Sequence, residues 1–365
     1  MHVFEQILHG AIASGASDIH IKAGAPISYR IVQELVPVDA PPPDPEWIER
    51  VLNHIVPPHL RERLDREHEI DFAYAPPQFG RFRVNVFQQR GNYVLSMRLV
   101  KSAMRDFRAL NLPGAVRDIA ETPRGIVIIA GATGSGKSTT LAAMIEHINQ
   151  IARKHIITLE DPIEYLFTDR MSIIEQREVG LDTASFSSGL KNVLRQDPDV
   201  LVIGEMRDPA SIAAAISAAN IGHLVISTLH TADAAKSIQR ILEFFPSADR
   251  DSARRQLATT LHAVICQKLI ASTQGGVLPA VEILIKNSSV EKLISAGNLD
   301  KLAGAMEMGG GDGMQTFDQS LYEMVKSGRI TQAEAFAHSP APEALKMRLQ
   351  GVVLSESRRI LGSRE

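Results

Sequence analysis

Residues 125–139 read GIVIIAGATGSGKST. An apolar run, Gly125 to Ala130, has the length and composition of a buried strand. A glycine-rich loop follows, and then Thr139-Thr140-Leu141-Ala142-Ala143-Met144-Ile145 reads as a helix. The loop fits G-x-x-x-x-G-K-[ST] in the strand–loop–helix context that the pattern requires. Its glycines let successive N–H groups turn inward on a phosphate, and the positive helix start faces the same anion. Gly131, Ala132, Thr133, Gly134, Ser135, Gly136, Lys137, Ser138 and Thr139 are therefore expected to cradle a nucleoside triphosphate. Lys137 would meet the β- and γ-phosphates, and the Ser138 hydroxyl would ligate Mg²⁺.

Outward from this loop, the chain alternates buried strands with helices, which signals a parallel α/β sheet. The strands are expected at 125–130, 155–160, 198–204, 223–229 and 278–285. In such a sheet the C-terminal strand ends converge on the ligand crevice. Two acidic strand ends are available. Asp199-Val200-Leu201-Val202-Ile203-Gly204-Glu205 places Glu205 where a carboxylate can hold Mg²⁺ or orient water. Leu159-Glu160-Asp161-Pro162-Ile163-Glu164 crowds three acids at the end of another strand. His223 and His230 bracket the strand Leu224–Leu229. His230 is placed to hydrogen-bond a γ-phosphate, while His223 is open to a structural or a functional reading.

Residues 1–100 read as a small α+β domain. A short amphipathic helix carries Phe4, Ile7, Leu8 and Ile12. An alternating strand at 17–22 follows, then helical stretches broken at Pro57-Pro58, then three alternating runs that form hairpins. Arg81 and Arg83 share one strand face there, and Arg98 lies on the next strand. Arginine forks offset the charge that builds in phosphoryl transfer, so these residues are finger candidates as well as ordinary edge charges. Residues 101–122 read as a linker with a helical part, 123–286 as the nucleotide core, and 287–365 as a helical C-terminal region. Ser288, Thr316 and Thr331 start capping-box spacings, and Gly309–Gly313 reads as a flexible linker.

Composition narrows the classes. The 365 residues carry a net charge of −3 and 5% aromatics, which gives no global electrostatic footprint for nucleic acid and few rings for base stacking, with a local basic groove left open. No apolar stretch reaches the ~20 residues of a membrane helix, and the first fifteen residues lack the basic region of a signal peptide. The one cysteine, Cys266, excludes an internal disulfide or a multi-cysteine zinc site. Its apolar surroundings read as a helix.

Four stretches, GATGSGKSTT, ITLEDPIEY, LRQDPDVLVIGEMRD and GHLVISTLHT, resemble the Walker A, Asp-box, Walker B and His-box motifs of the secretion ATPase superfamily, in order. ASDIHIKAG, GRFRVNVF and GMQTFDQSL resemble its N- and C-terminal regions. The likeness covers residues 1–335 and is nearest to the type IV pilus retraction ATPases. It implies a PAS-like N-terminal domain, a RecA-like P-loop NTPase core and a helical C-terminal extension. It also implies a homohexameric ring that hydrolyses ATP with Mg²⁺. Glu164 would be the water-activating Asp-box glutamate, Glu205 the Walker B glutamate, and Arg81 and Arg98 would serve a neighbour's nucleotide.

The expected role is a cytoplasmic motor, peripheral to the inner membrane, that acts on the pilus platform protein, with a paralogous ATPase as a further partner. The single cysteine sets the chain apart from extension and type II secretion ATPases, which carry a four-cysteine zinc element. Where retraction ATPases often have AIRNLIRE, residues 289–296 read SVEKLISA without the arginines. An accessory retraction paralogue and a type IVB secretion ATPase are thus the alternatives. A RecA-like nucleic-acid motor and a non-hydrolysing nucleotide-gated protein are the rivals from other classes.

Overall fold

The computed structural model describes residues 2–32, 34–100 and 105–351. The chain divides into two compact units, residues 1–102 with 164–166, and residues 103–163 with 167–365. Residues 101–104 of the expected linker and 352–365 of the expected helical C-terminal region lie outside the described residues.

The first unit runs α1 (His2–Ala13), β1 (Asp18–Lys22), β2 (Ser28–Ile31), β3 (Glu34–Pro37), α2 (Pro45–Ile55), α3 (Pro58–Glu67), β4 (Glu69–Tyr74), β5 (Phe82–Gln89) and β6 (Asn92–Leu99). Its strands form one antiparallel sheet, ordered β3-β2-β1-β6-β5-β4. Alternation places Ile19, Ile21, Phe82, Val84, Val86, Leu95 and Met97 in the core, where they pack with Phe4, Ile7 and Leu8 of α1 and Ile48, Val51 and Ile55 of α2. Each such side chain contributes about 2 kcal/mol on burial. The expected hairpin between β5 and β6 is present in register from Phe82↔Leu99 to Gln89↔Asn92. The short strands β2 and β3 add to the expected set.

The second unit runs α4 (Gly114–Ala120), β7 (Gly125–Ala130), α5 (Lys137–Ile151), β8 (His155–Glu160), β9 (Ile173–Glu178), α6 (Phe186–Val193), β10 (Val200–Ile203), α7 (Pro209–Asn220), β11 (Leu224–Leu229), α8 (Ala234–Glu243), α9 (Arg250–Thr260), β12 (Leu261–Ala271), β13 (Val277–Ile285), α10 (Ser288–Ala296), α11 (Leu302–Met308), α12 (Phe317–Lys326), α13 (Gln332–His338) and α14 (Pro342–Leu349). Its sheet is ordered β13-β12-β7-β11-β10-β8-β9. Every neighbouring pair is parallel except β12 with the edge strand β13. Both faces are covered, as a parallel sheet requires. Ile126, Ile128 and Ala130 pack with apolar residues of α6 to α10, whereas Val127 and Ile129 pack with those of α4 and α5.

Several local expectations are corrected. Cys266 lies on β12, not on a helix, and is buried. A strand covered on both faces loses its period-2 signature, so its apolar run imitates a helix. Residues 309–312 form a 3-10 turn rather than an open linker, with the Gly309 backbone close against Met314. The cap of α10 is Asn287, one residue before Ser288, and its side chain accepts from the Ser289 and Val290 amides. At Thr316 the full capping box forms, and Thr331 accepts from the Glu334 amide.

Candidate nucleotide site

Three loops leave the C-terminal ends of adjacent parallel strands: 131–136 after β7, 204–208 after β10 and 230–233 after β11. The first is the expected phosphate loop. Gly136 caps α5 at φ +90, and a Cβ on it would lie 2.7 Å from the Gln267 amide nitrogen. A Cβ on Gly131 would collide with Ser135 Oγ and the Gln267 carbonyl. Only glycine fits either position. No side chain caps the start of α5, whereas Asp208 and Asp233 cap α7 and α8. The α5 start therefore presents its amides and dipole to an anion.

Lys137 is buried, and its ammonium donates to the carbonyls of Gly131 (2.8 Å) and Ala132 (2.9 Å). His230 Nδ1 lies 3.5 Å from the same ammonium, and His230 Nε2 lies 3.6 Å from Glu205 Oε2. Arg207 pairs with the other Glu205 oxygen. Desolvation, then the charges of Lys137 and Arg207, push the His230 pKa below its usual value. This favours the uncharged imidazole, and Lys137, Glu205 and Arg207 together leave a net positive pocket suited to phosphate.

Sequence reasoning missed four supports. Gln267 on β12 is buried behind the phosphate loop and accepts from Thr140 Oγ1 at 2.7 Å. Ser227 Oγ donates to the Ile203 carbonyl (2.7 Å), and Thr228 Oγ1 donates to the Gly204 carbonyl (2.6 Å). These two bonds, about 1 kcal/mol each, tie the end of β11 to the turn that carries Glu205. The signal for them was polar residues inside an otherwise apolar strand. Arg207, two residues beyond Glu205, is the fourth.

The other candidates lie as follows. Ser138 and Thr139 are half-buried on the first turn of α5, while Ala132, Thr133 and Gly134 are exposed on the loop. Glu164 is exposed. Its neighbour Glu160 ends β8 and accepts from Thr158 Oγ1 at 2.6 Å. His223 lies at the opposite end of β11 from His230, with its ring nitrogen 3.0 Å from the Ala218 carbonyl of α7, a structural role. Arg81 precedes β5 and is half-buried. Arg98 on β6 donates to Asp18 at 2.7 Å with its own side chain 67% exposed. Burial alone would raise the Asp18 pKa, but the hydrogen bonds from Ser17 and Arg98 outweigh it and hold it low.

The residues present fit a nucleotide phosphate. Ser135 Oγ is buried inside the loop with no hydrogen-bond partner, a donor left for a phosphate oxygen. Among the described residues no group of three or more His, Cys, Asp or Glu could hold a metal ion. A hydroxyl at Ser138 and a carboxylate at Glu205 are hard oxygen donors, the set Mg²⁺ takes when phosphates complete its shell.

Comparison with known proteins agrees with this geometry. The family described as type II/IV secretion system protein matches residues 1–275. Over 338 residues the chain is 36% identical to the type IV pilus retraction ATPase PilT of Pseudomonas aeruginosa, spanning 93% of this chain and 98% of that protein. Over 348 residues it is 37% identical to the type IV pilus ATPase PilU of the same organism, spanning 95% and 91%. The crystal structure of the pilus retraction motor PilT with bound ADP matches with a TM-score of 0.87 at 40% identity, covering 93% of this chain and 98% of that one. With a phosphate loop, a strand-end glutamate and a strand-end histidine assembled on one parallel sheet, the chain belongs to the type II/IV secretion system protein family.

Proposed function

We propose that this chain is an ATPase and a motor subunit of a type IV pilus machine, working in pilus retraction. The observation that carries the reading is the Lys137–His230–Glu205–Arg207 chain of contacts at the ends of three parallel strands, in a protein alike over most of its length to PilT and PilU. In this reading Lys137 and the loop 131–139 bind the phosphates of ATP. Ser138 and Glu205 hold Mg²⁺, which when bound offsets charge on the transferring phosphoryl group. Neutral His230 joins the γ-phosphate position to Glu205, and Glu205 or Glu164 orients the attacking water. Arg207 must release Glu205 for that task, which makes it a second cation able to meet phosphate.

The wider reading has residues 1–100 as a PAS-like domain, 123–286 as a RecA-like core and the rest as a helical extension. Six copies form a ring at the cytoplasmic face of the inner membrane, against the pilus platform protein and beside a paralogous ATPase. Arg81 and Arg98 reach a neighbour's nucleotide. No helix among the described residues is long and apolar enough to cross a membrane. Likeness to PilU at the same level as to PilT favours one second reading, an accessory retraction ATPase.

Two inactive variants test the assignment. Lys137→Ala should lower ATP turnover by about 100-fold or more, the scale for losing one charged donor, with the melting temperature retained. Arg98→Ala should also be weak, and mixed rings of the two should regain turnover at interfaces with both residues intact. Wild-type turnover by Lys137→Ala would overturn the site. Mass-verified mixed rings without recovery at any ratio would count against Arg98 acting across subunits.

A further inference from the structure

Glu282 is a carboxylate on the edge strand β13, only 6% exposed, in the interior of the second unit. Its Oε1 accepts the N–H of Ala234 at 2.9 Å, the first residue of α8. That helix follows the loop carrying His230. The loop is held from within as well. Thr231 Oγ1 lies 2.7 Å from Ser237 Oγ, which also reaches the Asp233 carbonyl at 2.8 Å. The α8 start is thus joined to His230 by three residues of hydrogen-bonded loop.

The backbone on either side of Glu282 is tied elsewhere. Val281 N–H donates to Ser320 Oγ (3.1 Å), and its carbonyl accepts from the Gln315 side chain (2.7 Å). Ile283 and Gln315 exchange two backbone bonds, at 2.8 and 3.1 Å. Segment 315–320 includes the cap and first turn of α12. The main-chain amide of Phe317 favours the charged form of Glu282, as does the Lys268 ammonium, which lies over the Phe317 ring and donates to the His338 carbonyl at 3.0 Å. Across the strand pair Glu282 faces Cys266, and Asp233 is the nearby like charge.

A buried carboxylate with few partners is costly, and its loss leaves the helix-start amide unpaired. We propose that Glu282 is a positioning residue that couples the His230 loop to the start of α12, so that nucleotide held at 131–139 is felt in the C-terminal helices. This rests on the nucleotide reading of the loop. It adds a route by which the state of the site reaches a layer that makes none of the site's contacts. The coupling is local: the side chain meets the start of α8 through Ala234 and the start of α12 through the Phe317 amide, and the neighbouring backbone is tied to 315–320 as well.

Hydrogen exchange on the full chain, with and without ADP, tests it. In wild type, ADP should slow exchange at 131–139, at 230–236 and at 315–320. Glu282→Met fills the volume but removes the acceptor. Its slowing at 131–139 should persist while that at 315–320 falls about fivefold, the scale of losing one helix-start acceptor. Glu282→Gln keeps an oxygen for the Ala234 amide and should restore most of it. Equal slowing at 315–320 in Glu282→Met and wild type would overturn the coupling. So would equal loss in Cys266→Ala, which perturbs packing beside an intact carboxylate. Wild type that slows at 131–139 but not at 315–320 also overturns it, with the nucleotide reading left standing. No slowing at 131–139 overturns both.

Discussion

Glu205 and Glu282 show how burial gives two glutamates opposite uses. Glu205 is held between Arg207 and His230, so its charge is matched on the spot. Glu205→Gln keeps shape and hydrogen bonding but not charge. ATP should still bind, and turnover should fall by about 100-fold or more, as for loss of a general base. Trapped, uncleaved ATP in rapid-quench assays is the expected sign, and loss of both binding and fold would mark Glu205 as a structural residue. Glu282 is different. Burial raises its pKa to about 7 despite the hydrogen bond from the Ala234 amide. The fold therefore favours its protonated form. That contribution is complete below the usual carboxylate pKa and is lost as pH rises through about 7. Relative to Glu282→Gln, wild type should lose up to about 3 kcal/mol of stability between pH 5 and pH 8. Urea midpoints of the two proteins would diverge over that range, and parallel curves would contradict the shifted carboxyl.

At the scale of the element, the acidic turn after β10 divides its labour. Glu205 faces the site, whereas Asp208 caps α7, accepting from the Ser211 amide (2.9 Å) and hydroxyl (2.6 Å). Asp208→Ala should destabilise the protein by about 1 kcal/mol, read as a lower denaturant midpoint, while Asp208→Asn should recover most of it. An unchanged midpoint would deny the cap its role. Such divisions bear on what the sequence could reveal. Lys137, Glu205 and His230 were legible because strand ends of a parallel sheet converge, and each follows an apolar run at its strand's end. Gln267, Ser227 and Thr228 were not, since their meaning depends on which strands are neighbours. The helix expected around Cys266 failed for the same cause: two-sided burial erases the alternation that would have marked β12. Glu164 was named from an acid-rich strand end and from resemblance, and it falls in the first unit.

At the scale of the whole molecule, the change from alternating runs to buried runs near Gly125 marked the passage from an antiparallel to a parallel sheet. The edges were harder to read. β3 has four exposed residues, and β9 follows a long irregular stretch after β8, so neither offered a core pattern. Helix α4, within the stretch read as a linker, contributes Val116, Ile119 and Ala120 to the core beneath β7. The strand order itself carries a consequence for how the protein is made. β7 pairs with β11 through Gly125↔Leu224 and with β12 through Ile126↔Leu261, and both partners come long after it in the chain. During synthesis the apolar strand before the phosphate loop must wait for them, and such distant pairings form slowly. A fragment cut after residue 222 should therefore collect in the insoluble fraction, while one that runs through residue 351 should not. A soluble, cooperatively melting shorter fragment would show that β7 finds another shelter. The strand that supports the nucleotide loop is the first of its sheet to leave the ribosome, and its apolar edges stay unpaired until its neighbours arrive.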